Sequence, residues 1–413
     1  MNLSLELLPK KCDVLVIGAG PSGSAAAYTL AKAGLDVVLI DQHAFPRDKI
    51  CGDGLIPDAH KALARLGVLD EVMRQAHPSR FLSCISPRGG RIDVAGTMAV
   101  LPRKQLDDIV CKAAVAAGAR MFAPVRFIAP IEEDGKVVGA RLTQSGTECE
   151  LRATWVVLAT GAVPQALMAA GMAERHAPSA IAMRCYIRND AMTAKIDKLE
   201  VIWHKTLAPG YGWIFPCGDG VFNVGVGILH QPSDPADKRN PSRDKSGAAN
   251  LHQMFEALGK LSEPARELMA GGTRVGPLKG APLRCSLKGA RLSRPGLLVT
   301  GEAAGSTYAF SGEGIGKALE TGILAAEAIL QGAGGDEARV RAHYTSRIDA
   351  LRPRFMLYER ANLVNRYPWL ADLLIWRARK SARLQQRLSG VLNETSNPGH
   401  LFTVKGMVRL FTE

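Results

Sequence analysis

The sequence predicts an α/β fold class, and three observations carry that prediction. A strand, a glycine turn, a helix and a second strand follow one another from Asp13 to Asp41, in DVLVIGAGPSGSAAAYTLAKAGLDVVLID, which is the building unit of a parallel sheet. Two more apolar strands, in TWVVLATGA and PGLLVTGEAAG, run straight into glycine far downstream. Strand-like stretches with long turns separate them, so the α/β part is interleaved with an α+β part built on an antiparallel sheet, and a helical basic tail closes the chain.

Val14 to Ile17 is a short apolar run suited to a strand buried on both faces. Gly18, Gly20 and Gly23 then form G-x-G-x-x-G. Gly18 allows a sharp turn, Gly20 lets the backbone approach a diphosphate, and Gly23 lets the next helix lie close to the strand. Pro21 and Ser22 open that helix, which runs to about Lys32 with its N–H groups aimed at the diphosphate, and Gly34 ends it. Asp41, 23 residues after Gly18, closes the second strand where a carboxylate can accept both ribose hydroxyls. A dinucleotide site follows, and an acid at this place disfavours a 2′-phosphate. Pro21 inside GAGPSG makes the turn resemble the FAD-binding form.

At 413 residues, 47% hydrophobic and 22% charged, the chain has the composition of a soluble globular protein with ample core. No apolar run approaches the roughly 18 residues of a membrane span, and MNLSLELLPKK lacks the order of a signal peptide, so a cytoplasmic location is expected. The eight cysteines are scattered with no C-x-x-C pair, which argues for reduced thiols and no metal. The net charge of +13 is uneven: from Arg339 onward there are 14 Lys and Arg against 5 Asp and Glu.

After Asp41 and Gln42 the segment HAFPRDKICGDGL is too rich in Gly, Pro and charge for a regular element. Arg47 and Lys49 are candidate phosphate or ribose contacts, and Cys51, Gly52 and Gly54 suit backbone passing close to a flat ring. Pro57 to Met73 reads as one helix. Phe81 to Val100 reads as two strands around the turn PRGG. A helix then starts near Arg103 and ends at Gly118. Arg120 to Leu151 reads as a meander around Glu133-Asp134-Gly135, leading into the strand that ends at Thr160-Gly161.

In APGYGWIFPCGDGVFNVGVGI, Tyr211, Trp213 and Phe215 alternate on one face of an extended segment ending at Pro216, and Asn223 to Ile228 is its return strand. Three aromatics on one face supply apolar pocket walls with polar handles at Tyr211 and Trp213. The polar stretch 232–247 reads as a surface loop. In the third glycine segment, Gly301 and Glu302 follow a strand, and Gly312, Gly314 and Ile315 open a helix to Leu330. Its N-terminus can stabilise negative charge by about 0.3–1 kcal/mol. In the tail, Trp369, Leu370, Leu373, Leu374 and Trp376 precede RARKSARLQQR. This is either a helical pair with a solvated basic face or an interfacial membrane attachment. No nucleic-acid reader module is present.

The three ordered glycine segments, ICGDGL, and Y-x-W-x-F-P followed by N-V-G-x-G together resemble the geranylgeranyl reductase-like FAD oxidoreductases, over about residues 12–335. These are glutathione-reductase-type flavoproteins of the second structural group, related to flavin hydroxylases and flavin-dependent halogenases. The resemblance implies a Rossmann-like FAD domain at 1–75, 101–165 and 286–335, a substrate domain at 76–100 and 166–285, and a helical basic region at 336–413. It implies that Arg103, Thr160, Gly161, Gly301 and Glu302 join the first motif in binding FAD, although Thr160 and Glu302 stand where relatives usually place Asp. It further implies a substrate cavity at Tyr211, Trp213, Phe215 and Pro216, with Cys51, Tyr211 and Trp213 as catalytic candidates.

The activity implied is reduction of carbon–carbon double bonds in an isoprenoid, polyene or other lipid-like substrate. The alternative is a monooxygenase or halogenase working through a flavin hydroperoxide; halogenases carry W-x-W-x-I-P where this chain has Tyr211 and Phe215. With no second nucleotide fold visible, electrons would come from transiently bound NAD(P)H or from a ferredoxin or reductase. A basic tail would place a lipid enzyme at the inner face of the membrane.

Overall fold

The computed structural model describes residues 3, 5–173, 179–229, 250–287, 289–332, 336–393 and 395. Two eight-stranded sheets organise them. In the first, Leu297–Val299, Thr147–Leu158, Lys11–Ile17, Val37–Ile40 and Arg120–Phe122 lie side by side and parallel. Val14, Leu15 and Val16 are completely buried, as a strand covered on both faces requires. The helix Pro21–Lys32 packs on this sheet beside Ile315–Gln331. Both are rich in Ala and Gly, which allows close approach: a Cβ at Gly322 would lie 2.1 Å from the Ser22 carbonyl oxygen.

The second sheet runs Thr273–Leu283, Ala180–Arg188, Val221–Leu229, Gly210–Gly218, Leu199–Ile202, His77–Ile85, Arg91–Val100 and Gly54–Leu55. Its strands fall between the first and third glycine segments, on both sides of the strand Thr147–Leu158 that leads to the second, so the two parts are interleaved. The expected antiparallel sheet is present in six of its seven strand pairs, and the seventh pair, Leu199–Ile202 with His77–Ile85, is parallel, so the sheet is mixed. One chain pass cannot join these two by a hairpin: more than a hundred residues, including much of the first sheet, lie between them.

Two further readings change. The helix expected from Pro57 to Met73 is two, Pro57–Arg65 and Leu69–Gln75, interrupted at Gly67 with φ +69°. Arg120–Phe122 leaves the expected meander to pair with Val37–Ile40, while the meander's last strand and the strand leading to Thr160 are one element, Thr147–Leu158. The stretch 232–247 lies outside the described residues.

The tail is a run of short helices, Glu337–Asp349, Arg352–Ala361, Leu363–Arg366, Trp369–Ala378 and Ala382–Leu392. It is part of the body. Tyr344 is fully buried and donates to the Val299 carbonyl at 2.7 Å, while the later helices pack across the second sheet. No described helix is long and apolar enough to cross a membrane.

Candidate active site

A cavity of about 810 Å³ runs from the first glycine turn, beneath the strand Gly210–Gly218, to the tail helices. Its walls contain Gly18, Gly20, Pro21, Ser22, Asp41 and Gln42 at one end. Gly18 has φ +103°, and a Cβ there would stand 2.4 Å from the Ala159 oxygen, so the turn demands glycine. Gly23 packs the helix, since a Cβ would fall 1.8 Å from the Gly18 oxygen. It does not line the cavity. Gly301, expected at the cofactor, is likewise set back: its N–H donates to Thr321 Oγ1 at 3.0 Å and its α-carbon faces the Ser22 side chain.

The charged candidates are paired within the protein. Asp41 accepts from the backbone N–H groups of Ala19 and His43, both at 2.9 Å. Arg47 bridges Asp41 at 3.4 Å and Asp107 at 3.0 Å. Arg103 also holds Asp107, through Nε at 2.7 Å and a second nitrogen at 2.9 Å. It is buried beside the Cys51 thiol, and although burial opposes its charge, Asp107 and Cys51 more than offset this and raise its pKa. Lys49 pairs with Glu302 at 3.1 Å, and the Thr307 hydroxyl donates to Glu302 at 3.4 Å. Thr160, Gly161, Gly312, Gly314 and Ile315 complete this end of the wall.

The return strand explains the aromatic wall. Across three strands, Tyr211, Gly227 and Ala182 form one row; Trp213, Gly225 and Arg184 form the next; Phe215, Asn223 and Tyr186 form the third. Each ring therefore has a small or polar neighbour. A Cβ at Gly225 would lie 2.2 Å from the Trp213 ring, so the indole occupies the space that glycine leaves. Tyr211 donates its hydroxyl hydrogen to the Ser311 carbonyl, and burial pushes its pKa up, which keeps the phenol protonated. Pro216, one position out of phase, is not among the lining residues. The structure corrects that expectation.

A polar network missing from the sequence reading ties this wall to the ICGDGL loop. Asn223 accepts from Trp213 Nε1 at 2.9 Å and donates from Nδ2 to the Cys51 carbonyl and to Asp53 Oδ2, both at 2.8 Å. Asp53 also accepts from Tyr186 Oη at 2.5 Å and from the Arg103 N–H at 3.3 Å. It is wholly buried with φ +62°, and burial, opposed by Tyr186, Arg184, Asn223 and Arg103, pushes its pKa up to about 6. The one signal in the sequence was Asp between two glycines, which reads equally well as an ordinary turn. Gly52 sits under the rings, 3.3 Å from Phe215 and 3.5 Å from Trp213 to an added Cβ. Cys51 is half-buried at the cavity wall.

Beyond the aromatics the cavity becomes apolar. Leu82, Cys84, Ile92, Val94 and Met98 line it from the sheet, and Leu374, Ile375, Ala378, Leu384, Leu388 and Val391 from the tail. Lining residues between 82 and 98 and between 358 and 392 carry no formal charge.

Sequence comparison settles the cofactor. The family profile described as FAD binding domain matches residues 11–257. The chain belongs to this FAD-binding family of oxidoreductases. A menaquinone reductase of Mycolicibacterium smegmatis is 34% identical over 339 residues, which is 78% of this chain and 77% of that one. A digeranylgeranylglycerophospholipid reductase of Methanoculleus marisnigri is 33% identical over 325 residues, 76% and 75% of the two chains.

Two solved structures share the fold. A geranylgeranyl bacteriochlorophyll reductase-like protein from Thermoplasma acidophilum superposes with TM-score 0.72 at 21% identity, over 98% of this chain and 96% of that one. A flavin-dependent brominase gives TM-score 0.73 at 20% identity, over 97% and 98%.

The cavity fits FAD on its own geometry. Thr160 Oγ1 is buried in the wall with no hydrogen-bond partner among the described residues, as a group that takes a ligand oxygen or nitrogen would be. The helices beginning after Gly20 and Gly314 have no side-chain cap, which leaves their N–H groups to an acceptor in the cavity.

Proposed function

We propose that this flavoprotein reduces carbon–carbon double bonds of an isoprenoid lipid. The observation that carries the reading is the uncharged arm of the cavity, which opens directly from the Tyr211–Phe215 wall into the space between sheet and tail. A chain of methylene and methyl groups gains about 0.8 kcal/mol per buried CH₂ in such a place. A polar substrate of similar length would leave its polar groups without partners there. The names of the relatives, a menaquinone reductase and a reductase of geranylgeranyl lipids, point the same way.

In this reading Gly18, Gly20, Pro21 and Ser22 receive the FAD diphosphate, and Asp41, Gln42 and Arg47 the adenosine end. Thr160, Gly161 and Glu302 meet the ribityl side, with Gly312, Gly314 and Ile315 at the ring. Bound FAD supplies the chemistry by taking up two electrons from a donor and passing a hydride to one alkene carbon. The protein excludes water with Trp213 and Phe215, and it holds the Cys51–Gly54 loop against them through Asn223 and Asp53. Tyr211 and Cys51 are two wall residues at the aromatic end that carry a transferable hydrogen for the second carbon. The electron donor in this reading is NAD(P)H or a small redox protein, and the tail meets a membrane.

Product mass decides the matter. Reductase action adds two hydrogens to a geranylgeranyl lipid or prenylated quinone, whereas product gaining an oxygen or a halogen would replace this reading with the monooxygenase or halogenase one.

A further inference from the structure

The tail helices have a second face that the cavity does not use. In Trp369–Ala378, Ala371, Leu374, Ile375 and Ala378 line the cavity, whereas Trp369 and Trp376, seven residues and about two turns apart, are 60% and 51% exposed. The exposed apolar surface continues along the chain through Met356, Leu363 and Tyr367. Nine large apolar side chains are strongly exposed among the described residues, and five of them fall in this short stretch. Such a concentration marks an interaction surface rather than ordinary scatter.

The charges beside these side chains have one sign. Between residues 352 and 393 the exposed charged residues are Arg360, Arg366, Arg379, Lys380 and Arg383; Glu359 and Asp372 are only half-exposed. Two of the cations sit on the aromatics themselves, Lys380 at 4.5 Å over Trp376 and Arg366 at 5.5 Å over Tyr367. A protein partner's docking surface usually has a core depleted of charge, and here cations and aromatics alternate. A second copy of the chain in a two-fold arrangement would set these cations against their own images. Lipid phosphates above an acyl region satisfy both kinds of group at once.

We propose that this face docks on an anionic bilayer. Trp369, Trp376 and Tyr367 enter the boundary between headgroups and acyl chains, the arginines and Lys380 meet phosphates, and the Trp369–Ala378 helix becomes the partition between the bilayer and the cavity. The docking stands on the exposed face alone; only the purpose of the partition, admission of a membrane lipid, rests on the reductase reading.

The test uses the full-length FAD-loaded protein, without substrate, sedimented with vesicles of phosphatidylcholine alone or mixed with phosphatidylglycerol. The expected result is binding to the mixed vesicles that weakens as salt rises, with a blue shift of tryptophan emission. A Trp369→Ser, Trp376→Ser double variant should bind about tenfold more weakly. A triple variant, Arg379→Gln, Lys380→Gln and Arg383→Gln, should lose the preference for phosphatidylglycerol. Both should retain their flavin and their turnover of a detergent-dispersed substrate.

Wild-type protein remaining in the supernatant with both vesicles would overturn the proposal. So would unchanged binding of the double variant, or light scattering showing a dimer that the tryptophan changes split. Vesicle binding with no turnover of any lipid would support the docking and count against the reductase alone.

Discussion

The two ends of the cavity are built on different principles. At the cofactor end charges answer one another: Arg47 and Arg103 share Asp107, and Lys49 meets Glu302. Positions there are set by backbone geometry, above all at Gly18. At the far end none of the described lining residues is charged, and the wall is assembled from strands at 82–98 and helices at 371–391, nearly three hundred residues apart. One end is specified by shape at single atoms, the other by volume and polarity. Substitutions should therefore act on cofactor retention at one end and on substrate choice at the other.

The largest expected effect is at the turn. Gly18→Ala forces a side chain onto the Ala159 oxygen at an unfavourable φ, which should cost about 3 kcal/mol and strip the flavin. The ratio of flavin to protein absorbance and a thermal melt check this. The comparison breaks if the variant stays yellow.

Next is the far arm. Leu388→Trp should fill it and raise KM for a long prenyl substrate about tenfold while sparing a short analogue and leaving FAD content unchanged. Equal effects on both substrates would mean that the arm does not receive the chain.

Asp53 joins the two ends, and its effect is pH-dependent. Its folded pKa, pushed up from 3.8 to about 6, means that the folded state holds the proton more tightly than the unfolded chain. That contribution is complete below about pH 4 and is lost as pH climbs through 6. The groups facing Asp53 are Tyr186 and Arg184 on Ala180–Arg188, Asn223 on Val221–Leu229, Arg103 at the start of its helix and Cys217 on Gly210–Gly218. The melting temperature of Asp53→Asn, taken relative to wild type, should therefore rise between pH 4 and 6 and then level off. A flat difference across that window would assign Asp53 an ordinary carboxylate.

The smallest effect belongs to Tyr211→Phe, which removes one hydrogen bond to the Ser311 carbonyl and should cost about 1 kcal/mol in a denaturant titration. A larger loss would give the phenol a part beyond that bond.

The same contrast explains what the sequence could show. The glycine turn, the helix after it and Asp41 were legible because each imposes a local conformation with a residue type to match. The alternation of Tyr211, Trp213 and Phe215 was legible for the same reason, and the period of two also separates Pro216 from the wall. Asp53 and Tyr186 were not, because their partnership spans 133 residues and neither belongs to a local pattern. The role of Leu384 or Val391 in the wall was equally hidden: an amphipathic helix announces an apolar face, but not what that face covers. The parallel pair inside the second sheet depends on a long crossover, which local alternation does not encode.

The most direct test of the central claim is anaerobic mixing of the photoreduced holoenzyme with a geranylgeranyl lipid, followed by absorbance of the flavin and mass of the lipid. The account predicts that the yellow colour returns without oxygen and that the lipid gains two hydrogens for each flavin reoxidised. Flavin that stays bleached until air is admitted, with lipid unchanged or oxygenated, would contradict it.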